Sequence, residues 1–204
     1  PSVTRIREDP DGTLWFCCDG WHSDGAGLSS FSGGQWRSYG LQEGLPSVEV
    51  RDYFRDFKGQ QYAVTAKGIT RRMDDRWVSL DIPGFPVDGF PFDLVETAEG
   101  ELISSVRIAP GVMGVFMTKE GRWQDLGNSA IRSLVTRSGQ ILSTEMDQER
   151  SRMRVMRFQD GQWAPASAWT RNWFSFASKL VEAPDGAIWG VGRGLFFRWE
   201  NRDP

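Results

Sequence analysis

A short sequence pattern recurs five times along the 204-residue chain and constrains its fold more than any other feature. Each copy places a glycine in front of a short segment that contains aliphatic, aromatic or β-branched residues. The copies are EDPDGTLWFCC, RDFKGQQYAVT, ETAEGELISSV, VTRSGQILSTE and EAPDGAIWGVG, and their anchor glycines are Gly12, Gly59, Gly100, Gly139 and Gly186. These glycines are 47, 41, 39 and 47 residues apart. Self-similarity at such a period predicts a repeat architecture with one supersecondary unit per copy.

A second series of residues moves in step with the glycines. Four turn-like tetrapeptides end in tryptophan, namely GGQW, DDRW, EGRW and DGQW, and place Trp36, Trp77, Trp123 and Trp163 41, 46 and 40 residues apart. The glycine series and the tryptophan series recur with a similar period, which argues against chance similarity. The 10 tryptophans and 23 glycines of the chain also fit many short strands joined by tight turns, which indicates an all-β protein.

Each unit divides into four predicted strands. The first precedes the anchor glycine, the second follows it after a hairpin turn, and the fourth carries the tryptophan. Leu14–Cys18 is predicted as a second strand and Gly68–Met73 as a third. The pattern predicts an all-β β-propeller of about five four-stranded antiparallel blades, either an arc of a larger propeller or a five-bladed ring. The predicted units are about 1–44, 45–88, 89–127, 128–170 and 171–204, the last without its outer strand. The apolar segment between Gly59 and Gly68 predicts a strand buried on both faces.

Composition excludes several classes of partner and chemistry. The net charge is −3, so the chain offers no electrostatic reason to bind nucleic acid or an anionic membrane. No run of 18 apolar residues occurs, and no signal peptide is visible at Pro1. Cys17 and Cys18 are adjacent and are predicted to be free thiols, because a vicinal disulfide would be strained. With a single histidine and no Cys/His cluster, we predict no cofactor, no metal and no enzymatic activity.

Three of the units carry a family resemblance. DGTLWFCC, KGQQYAVTAKGI and DGAIWGVGRGL resemble the two-component regulator propeller repeat, Asp-Gly-x-Leu-Trp-aliphatic-Gly-Thr-x-x-Gly-Leu. The connection YGLQEGLPSVEVRDYFRD is also similar to that family's usual link. Units three and four depart from the pattern, since Ile103 and Leu142 replace the aromatic residue and Glu145 stands where threonine is usual. The resemblance covers almost the whole chain.

The resemblance implies a function. Propellers of this family form the periplasmic sensor half of bacterial hybrid two-component receptors, and many of them recognise oligosaccharides across one propeller face. It therefore implies a periplasmic or extracellular location, a carbohydrate-like ligand, and, as partners, the remaining blades and downstream signalling domains of a parent protein. Two other functions stay open: a protein–protein interaction scaffold without a small-molecule ligand, and a propeller lyase or hydrolase.

The irregular connections of the predicted blades indicate where a ligand would bind. They join strand two to strand three and each blade to the next, whereas the opposite turns are short and uniform. A sugar-binding site needs aromatic faces that stack on sugar rings and polar side chains beside them. The candidate residues of these two kinds are Trp21, His22, Phe90, Arg107, Asp147, Trp169, Arg171 and Trp173. Packing between blades is the alternative for the loop tryptophans. It is the prediction for the strand tryptophans Trp15, Trp36, Trp77, Trp123, Trp163 and Trp189.

Overall fold

A computed structural model of the chain describes residues 2–19, 26–127, 132–147, 152–167, 177–192 and 195–199, and every regular element in these ranges is a β-strand. The described residues form two compact units, Pro1–Leu94 and Val95–Pro204. Within both units, strands pair antiparallel with their neighbours in the chain. The prediction of an all-β β-propeller is confirmed, and we call its sheets blades 1 to 5 in chain order.

The first unit contains blades 1 and 2. Each is a four-stranded sheet whose strands pair in chain order. Blade 1 consists of β1 (Val3–Glu8), β2 (Leu14–Cys18), β3 (Ala26–Ser32) and β4 (Gln35–Gly40). Blade 2 consists of β5 (Val50–Arg55), β6 (Gln61–Thr65), β7 (Gly68–Met73) and β8 (Arg76–Ser79), and the two-residue strand β9 (Phe90–Pro91) follows it.

The second unit contains blades 3 to 5, again with strands paired in chain order. Blade 3 consists of β10 (Val95–Glu96), β11 (Leu102–Ala109), β12 (Val112–Lys119) and β13 (Arg122–Asp125). Blade 4 consists of β14 (Ser133–Val135), β15 (Ile141–Asp147), β16 (Arg152–Gln159) and β17 (Gln162–Pro165). The described part of blade 5 consists of β18 (Ala177–Glu182), β19 (Ile188–Gly192) and β20 (Leu195–Trp199).

The same five-residue turn, which we call the anchor turn, joins the first two strands of every blade. Its first amide donates to the carbonyl of its fifth residue at 2.8–3.0 Å, and its glycine amide donates to the carbonyl of its first residue at 2.9–3.0 Å. The five glycines have φ values of 81° to 86°, a region that glycine occupies without strain. The first residues of the five turns are Asp9, Asp56, Thr97, Thr136 and Ala183. The recurring glycine therefore reflects one backbone geometry.

Aromatic rings fill the space between blades 1 and 2. Trp15 stacks on Tyr53 with ring centroids 4.3 Å apart, and Trp77 meets Trp15 edge-on at 6.3 Å. Between the two glycines that bound its hairpins, β6 is buried from Tyr62 to Thr65, as its lack of alternation predicts. Blades 1 and 2 thus share one aromatic core.

The strand tryptophans do not all pack between blades. Trp15, Trp77 and Trp123 are buried, and the indole of Trp163 in blade 4 donates to the carbonyl of Leu126 in blade 3 at 2.8 Å. The packing prediction is wrong for Trp36, which is 62% exposed. Its indole lies instead beside Phe16 and Phe31 of its own sheet, at 4.9 and 5.0 Å.

Two further sequence features have clear structural roles. Cys17 and Cys18 are both buried free thiols, as predicted. The connection between blades 1 and 2 lies along the outer strand of blade 2, where the Trp77 amide donates to the Glu43 carbonyl at 2.8 Å. A Cβ at Gly44 would lie 2.1 Å from the Trp77 carbonyl oxygen, so this position requires glycine.

Candidate functional site

Each blade has two edges that differ in structure. The turn edge carries the anchor turn and the tight turn between the third and fourth strands. The loop edge carries the connection between the second and third strands and the connection to the next blade. The ligand-binding residues predicted from the sequence were all assigned to the loop edge.

Most of the predicted set lies outside the described residues. Trp21, His22, Trp169, Arg171 and Trp173 fall there, and so does the side chain of Asp147, although its backbone ends β15. Phe90 and Arg107 are described with their side chains, in the first and second unit respectively. The set as a whole therefore stays a prediction.

Arg107 lies on a projecting hairpin. The sequence suggested an irregular loop over 106–113, but β11 and β12 continue as paired strands up to a turn at Pro110 and Gly111. Arg107 pairs with Met113 and is exposed, whereas the preceding residues of β11 are buried. A register irregularity between Arg107 and Ala109 marks the projecting end. Arg107 is thus presented to solvent on a regular hairpin.

Phe90 belongs to a compact group of side chains at the loop edge of blade 2, which we call the Arg51 cluster: Glu49, Arg51, Phe90 and Phe92. The Arg51 guanidinium carbon lies 3.7 Å from the Phe90 ring centroid and 4.8 Å from that of Phe92. The two phenyl rings meet edge-on at 5.4 Å. Arg51 also forms an ion pair with Glu49. A guanidinium in this position gains cation–π attraction from both rings.

The backbone around Glu49 holds the cluster in place. The Ser47 hydroxyl accepts a hydrogen bond from the Glu49 amide at 3.1 Å, and the Glu49 carbonyl accepts one from the Ala66 amide at 3.0 Å. The side chains of Arg51 and Glu49 keep 24% and 30% of their surface exposed. A charged donor, a charged acceptor and an aromatic face are therefore accessible side by side. Such a combination can bind a hydroxylated ring.

A cleft with a volume of about 630 Å³ lies at the turn edge between the anchor turns of blades 1 and 2. Its wall includes Arg7, Asp9, Tyr53 and Arg55, and Phe57 at the rim is 82% exposed. No binding residue was predicted at this edge from the sequence, because its turns are short and uniform.

Asp9 is the centre of the polar network in this cleft. Its Oδ2 accepts hydrogen bonds from Tyr53 Oη at 2.8 Å, Arg55 Nη1 at 3.1 Å, Trp15 Nε1 at 3.1 Å and Gln61 Nε2 at 3.2 Å. Burial, together with the hydrogen bond to the Asp9 carboxylate, raises the pKa of Tyr53 and keeps the phenol protonated. Three of the four donors come from blade 2, so the network links the two blades.

A second buried carboxylate also bridges blades 1 and 2. Asp52, fully buried in β5, forms ion pairs with Arg5 and Arg7 of β1. Burial alone would lower the pKa of Arg7, but the charge of Asp52 raises it. Burial raises the pKa of the nearby Cys17 thiol, and the Asp52 charge adds to that rise. Because these polar groups already bond one another, we assign the turn-edge network to blade pairing and the candidate binding site to the Arg51 cluster.

Among the described residues, no group of three or more His, Cys, Asp or Glu side chains is placed to hold a metal ion. The described part of the chain also contains no helix that is long and apolar enough to cross a membrane.

Comparisons with known proteins identify the fold. No protein-family model matches the chain, and no curated protein matches it. Among solved structures, it is similar to the extracellular domain of the hybrid two-component system BT4673 from B. thetaiotaomicron, with a TM-score of 0.72 and 16% identity. That match covers 98% of this chain and 27% of the other, so the chain spans about a quarter of that domain's length.

Enzymes share the fold as well. The GH74 xyloglucanase from Xanthomonas campestris matches with a TM-score of 0.69 and 18% identity, over 97% of this chain and 36% of the enzyme. The gluconolactonase XC5397 from the same organism matches with a TM-score of 0.63 and 12% identity, over 93% of this chain and 70% of the enzyme. The chain therefore has a propeller fold that occurs both in extracellular domains of two-component systems and in enzymes.

Proposed function

We propose that this chain is a ligand-binding sensor propeller that recognises a carbohydrate-like molecule at its loop edge. The observation that carries the proposal is the Arg51 cluster, where Phe90 and Phe92 offer aromatic surface beside a partly exposed Arg51–Glu49 ion pair. Sugar rings present apolar C–H faces and hydroxyl groups together, which suits this mixture of groups. Binding, and no catalytic step, is the proposed activity.

The sensor role receives support from the structural similarity to extracellular domains of two-component systems. We propose that the chain is the extracytoplasmic input part of such a receptor, in the periplasm or outside the cell. Its partners would then be the remaining blades and the downstream signalling domains of the parent protein. The resemblance of its repeats to the two-component regulator propeller repeat supports the same proposal.

The other predicted residues also remain part of the proposal. Trp21, His22, Trp169, Arg171 and Trp173 belong to loop-edge connections, and Arg107 and Asp147 lie near the loop-edge ends of β11 and β15. Aromatic members would stack on sugar rings, and charged members would bond hydroxyl groups. Each of these assignments is part of the proposal and is tested by substitution.

The test is calorimetric titration of the chain with neutral and acidic oligosaccharides chosen on a glycan array, followed by substitution of Phe90. We expect Phe90→Ala to weaken binding about 30-fold, which corresponds to about 2 kcal/mol for the loss of an aromatic contact. Arg51→Lys keeps the charge but loses the flat guanidinium, so we expect weaker binding here too.

The matched control is Phe57→Ala, which removes an exposed phenyl ring from the turn edge of the same blade. It should leave the affinity unchanged. If no oligosaccharide binds at millimolar concentration, or if both phenylalanine variants bind equally well, the carbohydrate proposal is wrong. Turnover of an oligosaccharide during the titration would instead place the chain with the enzymes that share its fold.

An interaction scaffold without a small-molecule ligand is the second candidate function. The exposed side chains of Ile6, Trp36 and Phe57 favour it, because large apolar groups in solvent commonly mark protein contacts. Loss of protein binding on substitution of these residues, without any effect of Phe90→Ala, would support the scaffold over the sensor.

A further inference from the structure

The Arg51 cluster contains a cation whose flat face and whose edge have different neighbours. The Arg51 guanidinium carbon lies 3.7 Å from the ring centroid of Phe90, which places the group over the face of that ring. Glu49 pairs with the guanidinium through its Nη2 atom. A guanidinium donates hydrogen bonds in its own plane, so a contact with an aromatic face leaves its edge to carboxylates. The aromatic contact and the binding of an anion therefore do not compete.

Two rings and a strand irregularity hold Arg51 in position. The Phe92 ring centroid lies 4.8 Å from the guanidinium carbon, in addition to the contact with Phe90. The register of β5 on β6 shifts between Val50 and Asp52, so Arg51 lies at a bulge that affects the direction of its side chain. A donor that is held in place before the ligand arrives loses little freedom on binding. Arg51 is therefore suited to bind a planar anion.

A second cation, Lys67, lies at the same edge of blade 2. It belongs to the two-residue turn between β6 and β7, and the amide of the preceding residue, Ala66, donates to the Glu49 carbonyl at 3.0 Å. The Thr65 hydroxyl fixes this turn, because it accepts from the Lys67 amide at 3.2 Å and donates across the turn at 2.9 Å. The Lys67 side chain is exposed. Its ammonium group can therefore reach an anion bound in the Arg51 cluster.

The aromatic surface of the cluster lies at the same edge as Lys67. Strand β9 begins at Phe90 and contacts both β6 and β7, the two strands that the Lys67 turn joins. Lys67, Arg51 and Phe90 thus come from three separate segments that meet at one end of blade 2. A sugar that carries a carboxylate offers an anionic group next to an apolar ring face, which matches this arrangement.

Glu49 shows which chemical group Arg51 binds. Its carboxylate pairs with the guanidinium at the solvent boundary, where the Glu49 side chain keeps 30% of its surface exposed. A partly exposed ion pair contributes little to stability, so a ligand carboxylate can replace Glu49 at small cost. Asp88, two residues before Phe90, is also exposed, so the net charge of this edge does not by itself select an anion. The selection comes from direct pairing with Arg51.

We propose that the Arg51 cluster and Lys67 select acidic sugars, whose carboxylate replaces that of Glu49 on Arg51. The class of ligand is a uronic acid or an oligosaccharide that contains one. This inference rests on the proposed carbohydrate-binding function and narrows its ligand. The ligand carboxylate pairs with the edge of the Arg51 guanidinium, Lys67 adds a second positive charge, and the sugar ring packs on the neighbouring aromatic surface. Glu49 limits the affinity, because it competes for the same donors.

The test is calorimetric titration of the 204-residue chain with oligosaccharides of glucuronic, galacturonic or mannuronic acid. Each acid is compared with its own methyl ester, which keeps the ring and the hydroxyl groups but carries no charge. We expect at least one acid to bind about tenfold more tightly than its ester, since hydrogen bonds between ions are stronger than those between neutral groups. A salt concentration of about 20 mM keeps the screening of exposed charges weak.

Three substitutions separate this role from structural support. Lys67→Gln should weaken the binding of the acid about threefold and leave the binding of the ester unchanged. Glu49→Gln removes the competing carboxylate, so it should strengthen the binding of the acid about threefold, whereas damage to the cluster would weaken it. Lys58→Gln, which removes an exposed lysine from the turn edge of the same blade, is the control and should change neither affinity. Circular dichroism verifies that the variants are folded.

The outcomes distinguish this inference from the proposed function on which it rests. If esters or neutral oligosaccharides bind as tightly as the acids, the selection of acidic sugars is wrong and carbohydrate binding stands. Weaker binding of the acids by Glu49→Gln, or equal effects of Lys67→Gln and Lys58→Gln, also overturns the selection. Acetate that binds as tightly as the acids would overturn it too, because the site would then bind carboxylates without a sugar. If no oligosaccharide of either kind binds, the proposed function is wrong as well.

Discussion

Asp9 and Asp52 show how single carboxylates link neighbouring sheets of a repeat protein. Both are buried, and each accepts hydrogen bonds from the adjacent blade: Asp9 from Tyr53, Arg55 and Gln61, and Asp52 from Arg5 and Arg7. Burying a carboxylate is costly unless hydrogen bonds and charged partners compensate, and these contacts provide both. Removing one carboxylate therefore leaves several donors without a charged acceptor.

We expect Asp9→Asn to lower the free energy of unfolding by about 2–4 kcal/mol, because it breaks a buried ion pair whose partner Arg55 is partly exposed. Urea unfolding followed by tryptophan fluorescence measures the change. The control is Asp11→Asn in the same turn, where an exposed amide oxygen can still accept the Thr13 amide hydrogen bond. An unchanged midpoint for Asp9→Asn would show that the network contributes nothing to stability.

Cys17 should make the protein less stable in mild alkali. Burial raises the pKa of its thiol in the folded state, whereas the unfolded chain titrates near the usual value of about 8.5. Above about pH 8.5 the unfolded state therefore loses a proton that the folded state keeps. The free energy of unfolding then falls by up to about 1.4 kcal/mol per pH unit.

Urea unfolding at pH 7.5 to 9.0 measures this slope, below the range where unfolded tyrosine titrates appreciably. Cys17→Ala should flatten the slope. Cys18→Ala, at the less enclosed neighbouring thiol, should flatten it less. Equal slopes for the parent chain and Cys17→Ala would contradict the prediction.

Residue-scale prediction from the sequence succeeded for the anchor glycines and failed for the packing of Trp36. The aromatic character of its loop suggested Phe90 as a candidate, a prediction that remains untested, but nothing suggested Arg51, which lies in β5. A register irregularity between Val50 and Asp52 affects the direction of the Arg51 side chain. A rule in which successive side chains strictly alternate between the two faces of a strand does not predict such a bulge.

The anchor turns were the most predictable elements. A glycine with φ near +80° and a fixed hydrogen-bond pattern recurs in all five, so the sequence pattern and the structure coincide. Strand bounds followed: β2 and β7 begin and end where predicted, at Leu14–Cys18 and Gly68–Met73. The hairpin of β11 and β12 was missed because its extension depends on cross-strand pairing beyond the core.

Glycines in turns and in close contacts should respond differently to substitution. A Cβ at Gly139 would meet no described atom within 4 Å, so Gly139→Ala should cost only the backbone strain of positive φ, about 1–2 kcal/mol. Asparagine tolerates this region better, so Gly139→Asn should recover part of that loss. Thermal unfolding measures both variants.

Gly44→Ala should be more harmful, since its Cβ would collide with the Trp77 carbonyl at 2.1 Å in addition to the strain. Asparagine brings no recovery there, because the clash remains. If the asparagine variant is more stable than the alanine variant at both Gly44 and Gly139, the close contact with Trp77 is not the reason that Gly44 must be glycine.

Each unit consists of sheets whose strands pair mainly with their neighbours in the chain. Stability in such repeat proteins is a sum of unit terms and nearest-neighbour terms. Leu28 belongs to the core that blades 1 and 2 share, and Leu142 belongs to the core that blades 4 and 5 share. A cavity in either core should therefore have a local effect.

We expect Leu142→Ala to cost about 2–5 kcal/mol locally and to raise amide hydrogen exchange in blades 4 and 5 while blades 1 and 2 keep their protection. Leu28→Ala should give the reverse pattern. Uniform loss of protection along the chain in either variant would show that the molecule unfolds as one cooperative body.

At this largest scale, the period of the repeat predicted the propeller fold from the sequence. The candidate site was less predictable, because it combines Phe90 from one connection with Glu49 from an earlier connection and Arg51 from β5. Such a combination depends on how segments that are distant in the sequence meet in the fold, and one sequence does not encode that as a local pattern.

The two backbone hydrogen bonds of the anchor turn recur in all five blades, although its first residue is Asp, Asp, Thr, Thr and Ala in turn. Because these bonds form whichever side chain stands there, the same position can serve a different purpose in each blade. In blade 1 the Asp9 carboxylate bonds the neighbouring blade, whereas Ala183 in blade 5 carries no polar side chain. One backbone geometry thus supports interfaces of different chemistry along the array of repeats.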